Sequence, residues 1–300
     1  MTARPTGASP PRPLEITDLL WRSDPVTGER CPVRRDDVVA TLRERGQHRA
    51  ARVAARLPAT DGVLDERELD ALLVRVHCEL QRLGEELQLP RRVASTLVGW
   101  VAPLLAARPE VPLRVVDVGC GLGYVIRWLA AHRVLGPDVE LVGVDLNGTL
   151  VERAAALARA ESLPCRFVTG DAFVPGVAVD DPARTVVVSS GLLHHLAPDD
   201  LTRFFAAQQA MRVSAFAHWD VVPGAGATLG AWVFHRARMR EAVSRHDGVL
   251  SARRAHPASV LLPAARRGAP DYDVRCVDTP LWTPPVAEVL RPVTGRLRSP

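Results

Sequence analysis

The chain has 300 residues, 47% hydrophobic and 24% charged, with a formal net charge of +4. This balance fits one large globular domain, or a core with an appendage, and excludes a mainly disordered chain. No apolar run approaches the ~18 residues of a membrane-spanning helix, and Met1–Pro13 lacks the apolar stretch of a secretory leader.

All 38 basic residues are arginine, and they lie among acids along the whole chain rather than clustered, so the charge does not by itself imply a nucleic-acid partner. Five cysteines (Cys31, Cys78, Cys120, Cys165, Cys276) are far apart, with no C-x-x-C pair. That pattern predicts reduced thiols in the cytoplasm and offers no zinc-ligand spacing.

Prolines at 5, 10, 11 and 13 predict a tail without regular structure over residues 1–13. Residues 14–110 read as a helical extension, a lid or a homodimer contact. Within it Leu69, Leu72, Leu73, Val76, Leu80 and Leu83 form an amphipathic stripe opened by acids at 65, 66 and 68. A second helix is expected over Val93–Ala107, kinked at Pro103.

From 111 to 300 the period changes. Short β-rich runs at 113–118, 141–145, 165–168 and 185–189 alternate with helical stretches at Tyr124–His132, Thr149–Glu161 and Asp199–Met211. A fifth strand is expected over Ser214–Val221, then a helix near Leu229–Arg245 and weaker strands near Tyr272–Val277 and Val286–Val293. Alternation of this kind predicts an α/β fold with a doubly wound, mainly parallel sheet, behind the helical N-terminal extension.

The strongest local signal is Asp117-Val118-Gly119-Cys120-Gly121-Leu122-Gly123-Tyr124, a strand feeding a glycine turn that opens a helix. Such a turn presents backbone N–H groups and a helix N-terminus to a ligand. A dinucleotide fingerprint needs Gly or Ala where Tyr124 stands, which counts against a nucleotide-binding oxidoreductase.

The D-x-G-x-G-x-G spacing resembles motif I of the class I S-adenosylmethionine-dependent methyltransferases, and the likeness extends over roughly residues 90–220. It implies a Rossmann-like core with S-adenosyl-L-methionine as cofactor and S-adenosyl-L-homocysteine as product. Asp145, ending the second strand, would accept the ribose hydroxyls. Asp171, after the third, would lie near the adenine amino group or serve as a helix cap. Asp117 would contact the cofactor's amino group or tie down the loop backbone. Gly119, Cys120, Gly121 and Gly123 form the loop, and Leu146, Ala172 and Ser190 complete the cofactor set at the same sheet edge.

Leu193-His194-His195-Leu196 is similar to the family's ending of the fourth strand. His194, His195 and His218 are candidate bases for removing an acceptor proton. His218 is paired with Asp220 on one strand face, an arrangement equally open to a purely structural reading. Arg245-His246-Asp247-Gly248…Arg253-Arg254 resembles a stretch of bacterial natural-product methyltransferases. It would place His246 and Arg254 on the acceptor, or else mark a helix C-terminus capped by Gly248.

The implied acceptor is a small molecule, a hydroxyl or activated carbon of a phenolic or polyketide-type metabolite. An RNA or protein acceptor is the alternative, lowered by Ser189-Ser190-Gly191-Leu192 where an N-P-P-Y tetrapeptide would stand. A non-catalytic binding scaffold stays open. No metal and no membrane partner are expected.

Overall fold

A computed structural model describes residues 12–22, 24, 30–110, 112–174, 184–276 and 289–298. The chain opens with a short helix α1 (Thr17–Leu20), then α2 (Arg35–Glu44) and α3 (His48–Ala54). A hairpin follows, β1 (Ala59–Thr60) and β2 (Val63–Leu64). It turns on Asp61 and Gly62 with φ of 51° and 79°, the two left-handed residues a tight hairpin turn requires.

Helix α4 (Glu66–Glu86) begins where expected, because Asp65 accepts the Glu68 N–H at 3.1 Å. Helix α5 (Leu89–Ala107) carries Pro103 inside it. The sheet and its covering helices come next: β3 (Leu113–Val118), α6 (Tyr124–His132), β4 (Val139–Asp145), α7 (Gly148–Ala160), β5 (Arg166–Thr169) and β6 (Thr185–Ser190). After α8 (Pro198–Met211) and β7 (Ala215–Val221) come α9 (Ala225–Arg238), α10 (Ala242–Arg254), α11 (Ala258–Gly268), β8 (Tyr272–Cys276) and β9 (Leu290–Leu297).

Seven strands form one sheet in the order β5-β4-β3-β6-β7-β9-β8. The first five are mutually parallel, and β9 runs antiparallel between β7 and β8. Alternate residues feed two cores, as a pleated strand dictates. Val115, Val186, Val188, Ala217 and Trp219 pack with α5, α6 and α7, whereas Val116, Val118, Val187 and Phe216 pack with α8 and α11. This is a three-layer, doubly wound, Rossmann-like fold. Strand order reverses between β3 and β6, and open sheets of this kind bind ligands outside the carboxyl ends at that point.

A third core joins Ile16 and Leu20 to α2, α3, α4 and Val243 of α10. Helix α5, read with the extension, instead packs Val93, Leu97 and Val101 into the sheet layer.

Three expectations are corrected here. The single helix expected near Leu229–Arg245 is two helices, because buried Glu79 of α4 accepts the Arg240 and Glu241 N–H groups at 2.6 and 3.2 Å and starts α10 afresh. The His246-Asp247-Gly248 stretch is neither a turn nor a helix C-terminus but the middle of α10. Gly248 is there because α9 crosses closely: an added Cβ would lie 1.8 Å from the His235 ring. The last strand runs over Leu290–Leu297 rather than Val286–Val293, its register set by pairing with β7; 286–288 lie outside the described residues. Of the expected tail, residues 1–11 also lie outside them, and Arg12 is anchored to the carbonyls of His194, Leu196 and Arg254.

Candidate active site

The glycine loop sits between β3 and α6 with Gly119, Gly121 and Gly123 at φ of 71°, 54° and 68°. At Gly121 there is no room for a side chain, since a Cβ would approach His77 of α4 to 2.6 Å. Four of the loop's N–H groups are spent on the protein itself, contrary to expectation. Gly119 and Cys120 donate to the Val144 carbonyl at 2.8 and 3.0 Å, and Gly123 donates to the Cys120 carbonyl at 2.8 Å. Gly121 donates to Asp145 Oδ2 at 2.8 Å. A pyrophosphate would find no cradle in these four groups.

The loop instead presents acid. Asp117 is 2% exposed, and its Oδ1 has no hydrogen-bond partner. Burial, reinforced by the Asp145 charge, pushes its carboxyl up to about 8. An orphaned buried carboxyl beside a second carboxylate suits a ligand with positive charge, such as the ammonium and sulfonium groups of S-adenosylmethionine. Asp145 also accepts the Asn147 N–H at 2.9 Å through Oδ1, which leaves further lone pairs on both oxygens for hydroxyl donors.

The remaining expected cofactor residues line the same edge to different degrees. Asp171 is exposed, and its Oδ1 accepts the Phe173 N–H at 2.8 Å in an Asx turn rather than a helix cap among the described residues. Leu146 is 52% exposed. Ala172 and Ser190 are half-buried at the ends of β5 and β6. Cys120 turns its sulfur toward Gly143 in the core, and burial raises its thiol well above the ordinary value.

His218, the expected partner of Asp220, is removed from this edge chemistry. It is fully buried among Phe204, Phe205 and Phe216, with Nδ1 2.8 Å from Ser189 Oγ and Nε2 3.1 Å from Gln208 Oε1. Burial takes its imidazole down to about 3, Asp220 opposing weakly. It is a core polar side chain, which corrects its reading as a base.

Asp220 serves His194 instead. Its Oδ1 is 2.7 Å from His194 Nδ1, and its Oδ2 accepts the His194 N–H at 2.6 Å. Burial works to raise Asp220, but His194 and the N–H groups of Val221 and His194 outweigh it and hold the acid below its usual range.

Around this pair the structure gathers Glu15 and Asp18, which no local pattern signalled, together with Arg254, His246 and Asp247. His194 Nε2 lies 3.9 Å from Glu15 Oε1, and His195 Nδ1 lies 3.7 Å from Glu15 Oε2 and 3.4 Å from Asp18 Oδ1. Arg254 does not project to an acceptor: it binds Asp18 Oδ2 at 2.5 Å and the His195 carbonyl at 3.2 Å. His246 bonds its neighbour Asp247 at 2.8 Å. Asp247 in turn accepts the Ile16 and Thr17 N–H groups at 2.9 and 3.0 Å. Arg254 directly, and His246 by way of Asp247, are thus engaged with the N-terminal segment over the His pair. His77 packs its ring against Gly121 of the glycine loop, with Nδ1 2.9 Å from the Leu73 carbonyl.

Residues 115–213 match the family model described as a methyltransferase domain. No curated protein matches the chain. Similar solved structures include a SAM-dependent methyltransferase from Aquifex aeolicus (13% identity, TM-score 0.43, covering 63% of this chain and 84% of that one). Another is magnesium protoporphyrin IX methyltransferase from Synechocystis PCC 6803 with bound SAH (14%, 0.46, 88% and 99%). A third is the CMeT domain of the citrinin polyketide synthase (16%, 0.43, 63% and 47%). At TM-scores below 0.5 these likenesses carry no weight for activity. Residues 115–213 thus match a methyltransferase domain, set on a doubly wound fold whose acidic glycine loop suits S-adenosylmethionine as cofactor.

Proposed function

We propose that the chain transfers the cofactor's methyl group to a hydroxyl or activated carbon of a small molecule, of phenolic or polyketide type. When bound, S-adenosylmethionine supplies a methyl group on a cationic sulfur. Asp117 would meet the cofactor's ammonium group and Asp145 its ribose hydroxyls. The protein's remaining task is alignment and exclusion of water.

The observation that carries a small acceptor is the closure over His194. Glu15, His194 and Asp220 are 3%, 5% and 4% exposed, and the segment from Arg12 through α1 covers them from above. A polynucleotide or a protein loop would need that cover removed, whereas a small ring needs only a gap. His194, with Nδ1 committed to Asp220, directs Nε2 toward Glu15 Oε1, 3.9 Å away. That nitrogen can take an acceptor proton or hold a cation.

The test is transfer of labelled methyl from S-adenosylmethionine into phenolic and polyketide acceptors, run beside RNA and protein substrates. Labelling of a small acceptor, lost in Asp145→Ala, supports the reading. Labelling of RNA or protein alone would replace it, and cofactor binding with no transfer to any acceptor class would favour a scaffold.

A further inference from the structure

Glu15 faces His194 and His195 at spacings that no hydrogen bond to either explains, while His195 Nδ1 also lies 3.4 Å from Asp18 Oδ1. Glu15 Oε1 to His194 Nε2 is 3.9 Å and Glu15 Oε2 to His195 Nδ1 is 3.7 Å, both too long for a hydrogen bond. Ligand atoms of these three residues nonetheless all lie within 4.8 Å of one another. Donors each ~2.0–2.2 Å from a tetrahedral ion stand roughly 3.3–3.6 Å apart, so a contraction of up to about 1 Å closes the set.

We propose that Glu15, His194 and His195 form a binding site for one divalent transition cation of the zinc, cobalt or iron(II) type.

Two His nitrogens and one carboxylate are the donor set such ions take. His194 is already prepared for it. Its Nδ1 is held 2.7 Å from Asp220, whose other oxygen grips the His194 N–H. That arrangement orients the ring with Nε2 toward Glu15, the role a carboxylate plays behind a metal-bound histidine. Glu15 is 3% exposed, and Ser251 Oγ donates to its Oε1 at 2.9 Å, which orients the acid without neutralising it.

Charge points the same way. Glu15, Asp18, Asp220 and Asp247 bring four carboxylates to this cluster, and Arg12 and Arg254 bring two guanidiniums. The acids exceed the guanidiniums by two, a surplus that a bound cation would offset. Arg254 Nη1 stands 3.5 Å from Glu15 Oε1, but it is engaged by Asp18 Oδ2 at 2.5 Å, so its charge is already offset. Three protein donors leave one tetrahedral position, which would take an oxygen of the acceptor; that role rests on the methyl-transfer reading, whereas the site itself does not.

The experiment titrates chelator-stripped protein with Co2+, followed by its visible d–d absorption, and with Zn2+ by calorimetry. One equivalent should bind, with tetrahedral-type absorption. His195→Ala and Glu15→Gln should each weaken binding by more than ~10-fold, the lower end of what losing even an outer-shell partner costs. The His195 side chain is 36% exposed, so its truncation leaves the fold intact, which circular dichroism checks. Absence of stoichiometric binding in the wild type, or equal binding in His195→Ala and Glu15→Gln, overturns the site. S-adenosylhomocysteine is titrated into the same stripped protein. Its binding without metal binding removes only the metal, and its failure beside intact metal binding removes only the methyltransferase reading.

Discussion

In the protein without cofactor, burial and the neighbouring Asp145 keep the Asp117 carboxyl protonated up to about pH 8. Between about pH 4, the ordinary carboxyl value, and pH 8 the folded chain therefore holds a proton that the unfolded chain releases, so this group's contribution to stability falls as pH rises through that window. An ammonium group bound against Asp117 needs the carboxylate, so cofactor binding should expel about one proton below pH 8. Affinity for S-adenosylhomocysteine should then rise between pH 6 and 8, and Asp117→Asn should abolish the dependence. Calorimetry in two buffers of different ionisation heat reads the proton directly; pH-independent affinity without proton release would detach Asp117 from the amino group. The two histidines separate by a different measurement. His218→Ala, which loses contacts to Ser189 and Gln208 inside an aromatic cage, should cost about 2–4 kcal/mol of stability and leave turnover of the folded variant within a few-fold. His194→Ala should lower turnover by ~10²–10⁴-fold. A catalytic defect in stable His218→Ala would reverse the assignment.

Among the elements, those punctuated locally were legible. Strand β3 and helix α6 coincide with their sequence reading, because a β-branched run, a glycine turn and a helical stripe succeed one another without help from distant residues. The Asp61-Gly62 hairpin carried an equally local signal that the helical texture around it obscured. What could not be read depends on contacts far along the chain. Asp247 caps α1 across 231 positions, and Glu79 starts α10 across 161. Alternation gave the face His218 shares with Asp220, but not that α8 covers that face at 218 and ends before 220. The N-terminal clasp is itself testable. Asp247→Ala removes the acceptor for two backbone N–H groups and the Thr17 hydroxyl, a loss of about 1–3 kcal/mol of local stability. Hydrogen exchange at Ile16 and Thr17 should accelerate accordingly while β3 and β4 keep their protection. Unchanged exchange at those amides would show that the segment is held by its apolar contacts alone.

Across the whole molecule, the doubly wound sheet brings two chemically distinct half-sites to one edge. Where strand order reverses, the loop after β3 and the turn after β6 lie side by side, one lined by Asp117 and Asp145, the other by His194 and His195. The separate core of α1–α4 roofs both, with His77 over the loop and Glu15 over the His pair. The cofactor half was visible in the D-x-G-x-G-x-G spacing because backbone geometry demands those residues at those intervals. The half proposed for the acceptor was visible only as the Leu193-His194-His195-Leu196 stretch, since Glu15 and Asp18 arrive from the N-terminal segment. The most direct measurement is calorimetric titration of the intact protein with S-adenosylmethionine, S-adenosylhomocysteine and NADH. An acidic loop with four of its N–H groups already spent predicts one equivalent of each sulfur nucleotide and no NADH; binding of NADH with neither sulfur nucleotide would contradict it.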